Sequence, residues 1–419
     1  MDVIKMFPKP GNHDIIFRGS TLFVDILKWI IYASCIGIVV GVSTGIFLRV
    51  LGWSISMAGN YSYYFLLLPV ALFTSELIVR KLAPEAHGHG TEQVIEAVHL
   101  RSGKIDPKVI PVKAVATIIT IALGGSVGKE GPCAQIGAGI SSAIADIFKM
   151  KDEDRKKLVI CGISAGFSAV FGTPIAGAIF GIEVIYVGSL LYEVMLASFI
   201  AGIISYQVAS LIGVTYTSHL LNIVPSFSEL MFLEVIIGGI IFGICSILMI
   251  EVVYWVQRQS LKIPLKSPTK GLIGGTILIG LALLFSTQYL GLGTGLIDSS
   301  LQGTPVAWYS FPAKILFTAT TLGFGGSGGV ITPIFAVGST AGVLFAQVTG
   351  MSIPTFAAIG LVSLLAGTTK TPIASSIMAI EMFGASIGPY AAIACIISFI
   401  ISGTRSIYPS QIFSLKRFI

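Results

Sequence analysis

Charge is what this sequence has least of. Of its 419 residues, 20 are Asp or Glu and 26 are Lys or Arg, together 11%. Soluble domains carry about a quarter, so an ordinary soluble globule is excluded. The five cysteines, at 35, 133, 161, 245 and 395, all lie in apolar runs. They offer no disulfide framework and read as small buried hydrophobes. No cleavable signal peptide is apparent, because Pro8, Pro10 and Asp14 interrupt the first residues before any apolar core. The net charge of +6 sits in short loops, as the positive-inside rule expects, and implies no nucleic-acid partner.

What is abundant is uncharged apolar sequence. Trp29–Leu48, Val50–Ser75, Leu158–Ile182, Gly271–Ile297, Ile315–Thr369 and Met382–Thr404 contain no Asp, Glu, Lys or Arg. Each is long enough to span a bilayer. The chain reads as an all-α polytopic membrane protein whose partner is the lipid bilayer. Arg80 and Lys81, and the acid-free loop 257–270 with Arg258, Lys262, Lys266 and Lys270, place those loops in the cytoplasm. The expected organisation is a cytoplasmic N-terminal segment 1–27 and a first transmembrane repeat 28–212. An extracellular linker 213–229, without Lys or Arg, leads to a second repeat 230–403 and a C-terminal helix 404–419. Both termini are expected in the cytoplasm and the protein in the cell (inner) membrane.

The stretch Gly124-Gly-Ser-Val-Gly-Lys-Glu-Gly-Pro132 breaks this pattern. Glu130 sits between two charge-free runs, and an ionisable residue at that depth marks a functional site. Glycines let the backbone leave regular helix, and Pro132 suits the first turn of a new one. A helix starting inside the membrane aims free N–H groups and a positive dipole end inward, which is an anion site. The stretch recurs: 325–333 matches 124–132 at an offset of 201, with Pro333 in the place of Pro132. Thr173-Pro174-Ile175-Ala176 with Glu183 recurs at Thr371–Ala374 with Glu381, at an offset of 198. Glycine- and proline-interrupted apolar segments in two halves point to a transport site between inverted repeats. Glu183 and Glu381, at equivalent positions, are read as structural groups bonding irregular backbone.

At this point the sequence resembles a known family. Gly128-Lys129-Glu130-Gly131-Pro132 looks like the GK/REGP motif of the CLC chloride channels and proton-coupled chloride exchangers. Gly325–Pro333 is similar to their GGxFxP motif, Phe171–Gly177 running on to Glu183 resembles a further segment, and Tyr408 falls where the family has a tyrosine. The resemblance spans about residues 25–415. It implies two inverted-topology repeats whose broken helices meet at a midplane anion site, with Glu130 as gating glutamate. Gly128, Lys129, Gly131, His89, the N–H groups of Val330 and Ile331, and the Tyr408 hydroxyl would form the anion site. It also implies a homodimer, meeting along 174–212 and 371–403, and no cofactor.

Three positions depart from the family pattern. His89 replaces the serine of GSGIP, though a neutral imidazole still donates one N–H. Ile331 replaces a phenylalanine and keeps the backbone N–H. Val184 stands where the exchangers carry an inner proton-transfer glutamate. Chloride or a similar small anion is therefore the expected cargo. Proton counter-transport, an uncoupled channel, and a carrier of another halide such as fluoride all remain compatible with the sequence. The reading from another class is an intramembrane metal-dependent enzyme. Its ligands would have to come from His87, His89 and Glu92, with no fourth ligand nearby, and no metal site or enzymatic activity is expected.

Overall fold

A computed structural model of the chain describes residues 12–216, 220 and 228–414, with side chains from Phe23 onward. Among these residues are 16 α-helices and one two-stranded parallel sheet. The first eight helices are α1 (Asn12–Gly59), α2 (Leu68–Leu82), α3 (Thr91–Leu100), α4 (Val109–Ala122), α5 (Glu130–Ile147), α6 (Asp152–Phe171), α7 (Pro174–Glu183) and α8 (Tyr192–Leu211). The next eight repeat that order as α9 (Glu229–Lys262), α10 (Ser267–Leu284), α11 (Thr294–Leu301), α12 (Ser310–Gly323), α13 (Ile331–Thr349), α14 (Ile353–Thr369), α15 (Pro372–Phe383) and α16 (Gly388–Ile401).

The punctuation in the sequence sets these boundaries. Gly172 and Lys370, both left-handed, end α6 and α14, and Pro174 and Pro372 open the next helices with a residue that has no N–H to lose. Five helices are long and apolar enough to cross a membrane, and several shorter ones are apolar. At about 1.5 Å per residue, α3 and α11 reach only some 12–15 Å, less than a bilayer core of about 30 Å. They enter the protein and stop there.

The core is made by α5, α6, α13 and α14, which are buried nearly all round. With lipid no less apolar than a leucine, close packing holds such helices together, and small residues allow it. A side chain on Gly137 would strike the Gly162 carbonyl, and one on Gly338 the Gly360 carbonyl, so α5 meets α6 as α13 meets α14. The long helices α1, α9 and α10 turn Ile38, Leu248 and Leu272 outward.

A backbone pair joins the two glycine motifs of the repeats. Gly128 and Gly329 exchange both hydrogen bonds, at 2.7 and 2.6 Å. Side-chain bonds repeat around it. Ser126 N donates to Thr321 Oγ1 at 3.0 Å and Ser327 N to Thr120 Oγ1 at 3.1 Å. Glu183 accepts the N–H groups of Ile373 and Ala374 at the start of α15, and Glu381 those of Ile175 and Ala176 at the start of α7. Each repeat thus caps a helix of the other.

Two expected segments change. α1 starts at Asn12, so the expected N-terminal segment 1–27 is helix from there on. α7 stops at Glu183, and Tyr186–Val187 forms strand β1. The expected helix 404–419 is turn and strand over its described part, with Ile412–Phe413 (β2) pairing in parallel with β1. Pro409 cannot serve a helix interior, and Gln411 is spent on the carbonyls of Val184 and Thr369. Residues 1–11, most of 217–227 and 415–419, which belong to the expected terminal segments and linker, lie outside the described residues.

Candidate functional site

Glu130 opens α5 and is fully buried. Its carboxylate crosses to the N-terminus of α13. Oε2 accepts the Thr332 N–H at 3.1 Å, and Oε1 accepts a short hydrogen bond from the Thr332 hydroxyl. A negative group is thus seated on a helix N-terminus in the middle of the protein, where the dipole and unpaired donors favour it. Lys129, the residue before it, is half-buried and is not its partner.

The donors expected at this place are Val330 and Ile331. They are the N-cap and first residue of α13, and both are buried. Helix geometry leaves the N–H groups of such a first turn without intrahelical acceptors. The carboxylate takes the next one along, from Thr332. This threonine was missed in the sequence, although it directly precedes Pro333 in a motif already matched to Gly131-Pro132. Pro132 and Pro333 each lie in the first turn of their helices, α5 and α13.

Gly131 is fixed by close approach. A side chain there would overlap the His89 carbonyl oxygen, so the start of α5 lies directly on the loop before α3. That loop carries His89, which is 6% exposed. Gln257 on α9 faces it, with the two Nε2 atoms 3.5 Å apart. His89 Nδ1 is buried and, among the described residues, has no partner. The Thr91 and Tyr408 hydroxyls are also buried, within reach of each other and, among the described residues, with no other partner, and Tyr408 is 1% exposed. In an interior where buried polar groups are nearly always satisfied, three such atoms beside one loop make a candidate donor set. Tyr408 lines a cavity of about 400 Å³ together with Tyr254, Arg258, Arg405, Ser406 and Pro409.

The loop is held by a lysine that stands at the edge of a charge-free run. Lys113 on α4 is fully buried, and its Nζ donates to the carbonyls of Ala86 at 3.0 Å and Gly88 at 2.6 Å. Lys314 on α12 does the same in the second repeat, to Tyr289 and Gly291 at 3.0 Å each and to Ser126 Oγ at 2.9 Å. The two lysines are 201 residues apart, the offset of the glycine motif, so the signal was present in the sequence.

Val184 is fully buried, and only its carbonyl is used, by Gln411. Glu183 next to it is committed to the α15 N-terminus. Gly128 sits on the axis between the repeats. The geometry therefore gathers Gly128, Glu130, Gly131, Val330, Ile331 and Thr332 at the centre, with His89, Thr91 and Tyr408 to one side. Glu183 and Val184 stand apart from these groups.

The family described as "Voltage gated chloride channel" matches residues 70–403. A "Chloride/fluoride channel protein" of Pseudomonas syringae pv. tomato is 32% identical over 394 residues, covering 92% of this chain and 86% of that protein. An "H(+)/Cl(-) exchange transporter ClcA" of Vibrio parahaemolyticus is 27% identical over 91% of this chain and 86% of its own length. Among solved structures, a "CLC-type fluoride/proton antiporter" superposes with a TM-score of 0.89 at 27% identity, over 94% of this chain and 99% of that one. These relatives are named as channels and transporters, and the chain belongs to the voltage-gated chloride channel (CLC) family of anion-transporting membrane proteins.

Proposed function

We propose that the protein moves a small halide past Glu130 in exchange for protons, and that fluoride is the halide its donors favour. The observation that carries this is the Glu130 carboxylate seated on the N-terminus of α13. A carboxylate held by an N–H and a hydroxyl occupies the place of a transported anion. Once protonated it loses most of that attraction and leaves the donors to the halide. The donors are dipoles rather than full charges, which bind weakly enough to release. Fluoride, the smallest and most basic halide, accepts the strongest hydrogen bonds, and Thr332, Thr91 and Tyr408 offer three hydroxyls. The similar Pseudomonas protein and the similar solved antiporter, both with fluoride in their names, support this choice.

On this reading the basic loop 257–270 faces the cytoplasm, both termini lie on that side, and the membrane is the cell (inner) membrane. The two repeats are transport units at about 28–212 and 230–403. Two copies pair along α7, α8, α15 and α16, whose outward side chains include Ile175, Leu196, Ile203, Ile373, Ile380 and Ile396. Each copy keeps its own pathway.

Purified protein in liposomes under an outward fluoride gradient should release fluoride and take up protons, with chloride moving more slowly. Glu130→Gln should abolish the proton uptake. Release of neither halide, or sodium flux in its place, would sink the reading.

A further inference from the structure

We propose that Glu92 is a second proton-binding carboxylate of the transport cycle, titrating together with anion occupancy on the His89–Tyr408 side of the site. This deepens the halide/proton reading above and rests on it. Glu92 is the second residue of α3 and is 8% exposed. Oε1 accepts the Ser410 N–H at 3.0 Å and a hydrogen bond from the Ser410 hydroxyl. Oε2 is buried and, among the described residues, has no partner. Among the described residues no cation is paired with this carboxylate, unlike Glu76, which pairs with Arg80. No helix end holds both its oxygens, as α15 holds those of Glu183.

The unused oxygen stands among the groups that would hold the anion. Thr91 precedes it in the chain, and Tyr408 lies two residues before its partner Ser410. The hydroxyls of Tyr408 and of Tyr254 on α9 lie within electrostatic reach of Glu92. The other titratable groups around it can be named. Glu96 lies one turn along its own helix. Arg258 and Glu251 act on Tyr254 from α9, and Glu130 of α5 acts on Tyr408. His89 is in the loop before the helix, and Lys113 of α4 stands behind that loop.

An ionised Glu92 would place a negative charge beside the anion donors and repel the cargo. A proton on Oε2 removes that charge and turns an unpaired acceptor into a donor. Proton and halide therefore bind together, each raising the affinity for the other by the same factor. The proton comes from water in the cavity that Tyr254, Arg258, Ser406 and Tyr408 line. It forms the Oε2–H bond, and its departure, to that water or to the Glu130 carboxylate, restores the Glu92 carboxylate. The segment that holds Glu92 through Ser410 also holds Val184 through Gln411, so the proton site lies one residue along the strap from a position that cannot titrate. The equivalent of Glu92 in the second repeat is Gly295, which can carry no proton.

The test reads protons and fluoride moved in the same proteoliposomes. Glu92→Gln should lower the proton-to-fluoride ratio by roughly tenfold or more, whereas Glu96→Gln should leave it unchanged. Should Glu92→Gln fail to fold, Ser410→Ala removes a donor that steadies the ionised form, and the midpoint of proton-coupled transport should move to higher pH. An unchanged ratio in the first variant, or an unchanged midpoint in the second, overturns the proposal. Wild-type fluoride flux with no proton movement overturns it too and leaves halide transport standing. Absence of any halide flux would instead remove the reading beneath it.

Discussion

The loop before α3 and the loop before α11 follow the same path. Gly88 and Gly291 have φ of 76° and 58°, and Gly90 and Gly293 have 87° and 79°. A buried lysine ties each loop by the same two carbonyls, at Ala86 and Gly88 or at Tyr289 and Gly291. The side chains differ. The first loop leads through His89 into Thr91 and Glu92, and the second through Leu292 into Thr294 and Gly295. The first set consists of buried polar side chains, and the second contains none. Elsewhere the same division holds. Glu183 and Glu381 are shared and hold helices, while Glu130 faces Ile331 across the repeat and Thr332 faces Gly131. What the repeats share builds the fold, and the chemistry sits where they differ.

The two lysines give the largest test of that division. Lys113→Met and Lys314→Met each strand at least two buried carbonyls, at about 1–3 kcal/mol apiece. Both should lower the melting temperature in detergent substantially and by similar amounts. Only Lys113→Met should also weaken fluoride binding, by roughly tenfold, or about 1.4 kcal/mol, because only its loop carries the proposed anion donors. Equal loss of affinity in both variants would break the comparison.

A smaller effect is expected from the crossed caps. Glu183→Gln and Glu381→Gln each replace a charged acceptor of two helix N–H groups with a neutral one, for a loss of about 1–2 kcal/mol. Matched losses of stability with unchanged proton-to-fluoride ratios would sharpen the account. A changed ratio in Glu183→Gln alone would move that residue from the shared framework to the transport chemistry.

The smallest effect is confined to one repeat. His99, at the end of the short helix α3, lies 3.1 Å through Nε2 from the Ile185 carbonyl. Burial pushes its imidazole below the usual range, Lys156 adds to this, and the bond to Ile185 opposes it. Below about pH 6.5 the unfolded chain then binds the extra proton more readily than the folded one. The contribution is present above that pH and is lost as pH falls through it. Its repeat equivalent is Gln302, which does not titrate. His99→Gln should flatten the acid side of the melting-temperature profile by about 1–2 °C, and an unaltered slope would remove His99 from the account.

Much of this was legible because membrane burial leaves so few charges to interpret. Glu130 stood out as a carboxylate between two charge-free runs, and the glycine motifs fixed both the repeat offset and the helix starts. Lys113 and Lys314 shared that offset and were legible too, but were read as edges of apolar runs rather than as buried anchors. Thr332 was hidden because a threonine at a helix start is an ordinary residue until a carboxylate 202 positions away arrives at it. The end of the chain was read as helix. Its strand depends on β1 and on the bonds of Ser410 and Gln411 to distant residues, and no local pattern carries those contacts.

The central claim is that the Glu130 carboxylate and the transported halide compete for the N-terminus of α13. Calorimetric titration of fluoride into the purified wild type and Glu130→Gln, at neutral pH, measures this directly. The account predicts that Glu130→Gln binds one more fluoride per subunit than the wild type, or the same number more tightly, because the donors of Thr332 are released. Equal stoichiometry and equal affinity in the two proteins would contradict it.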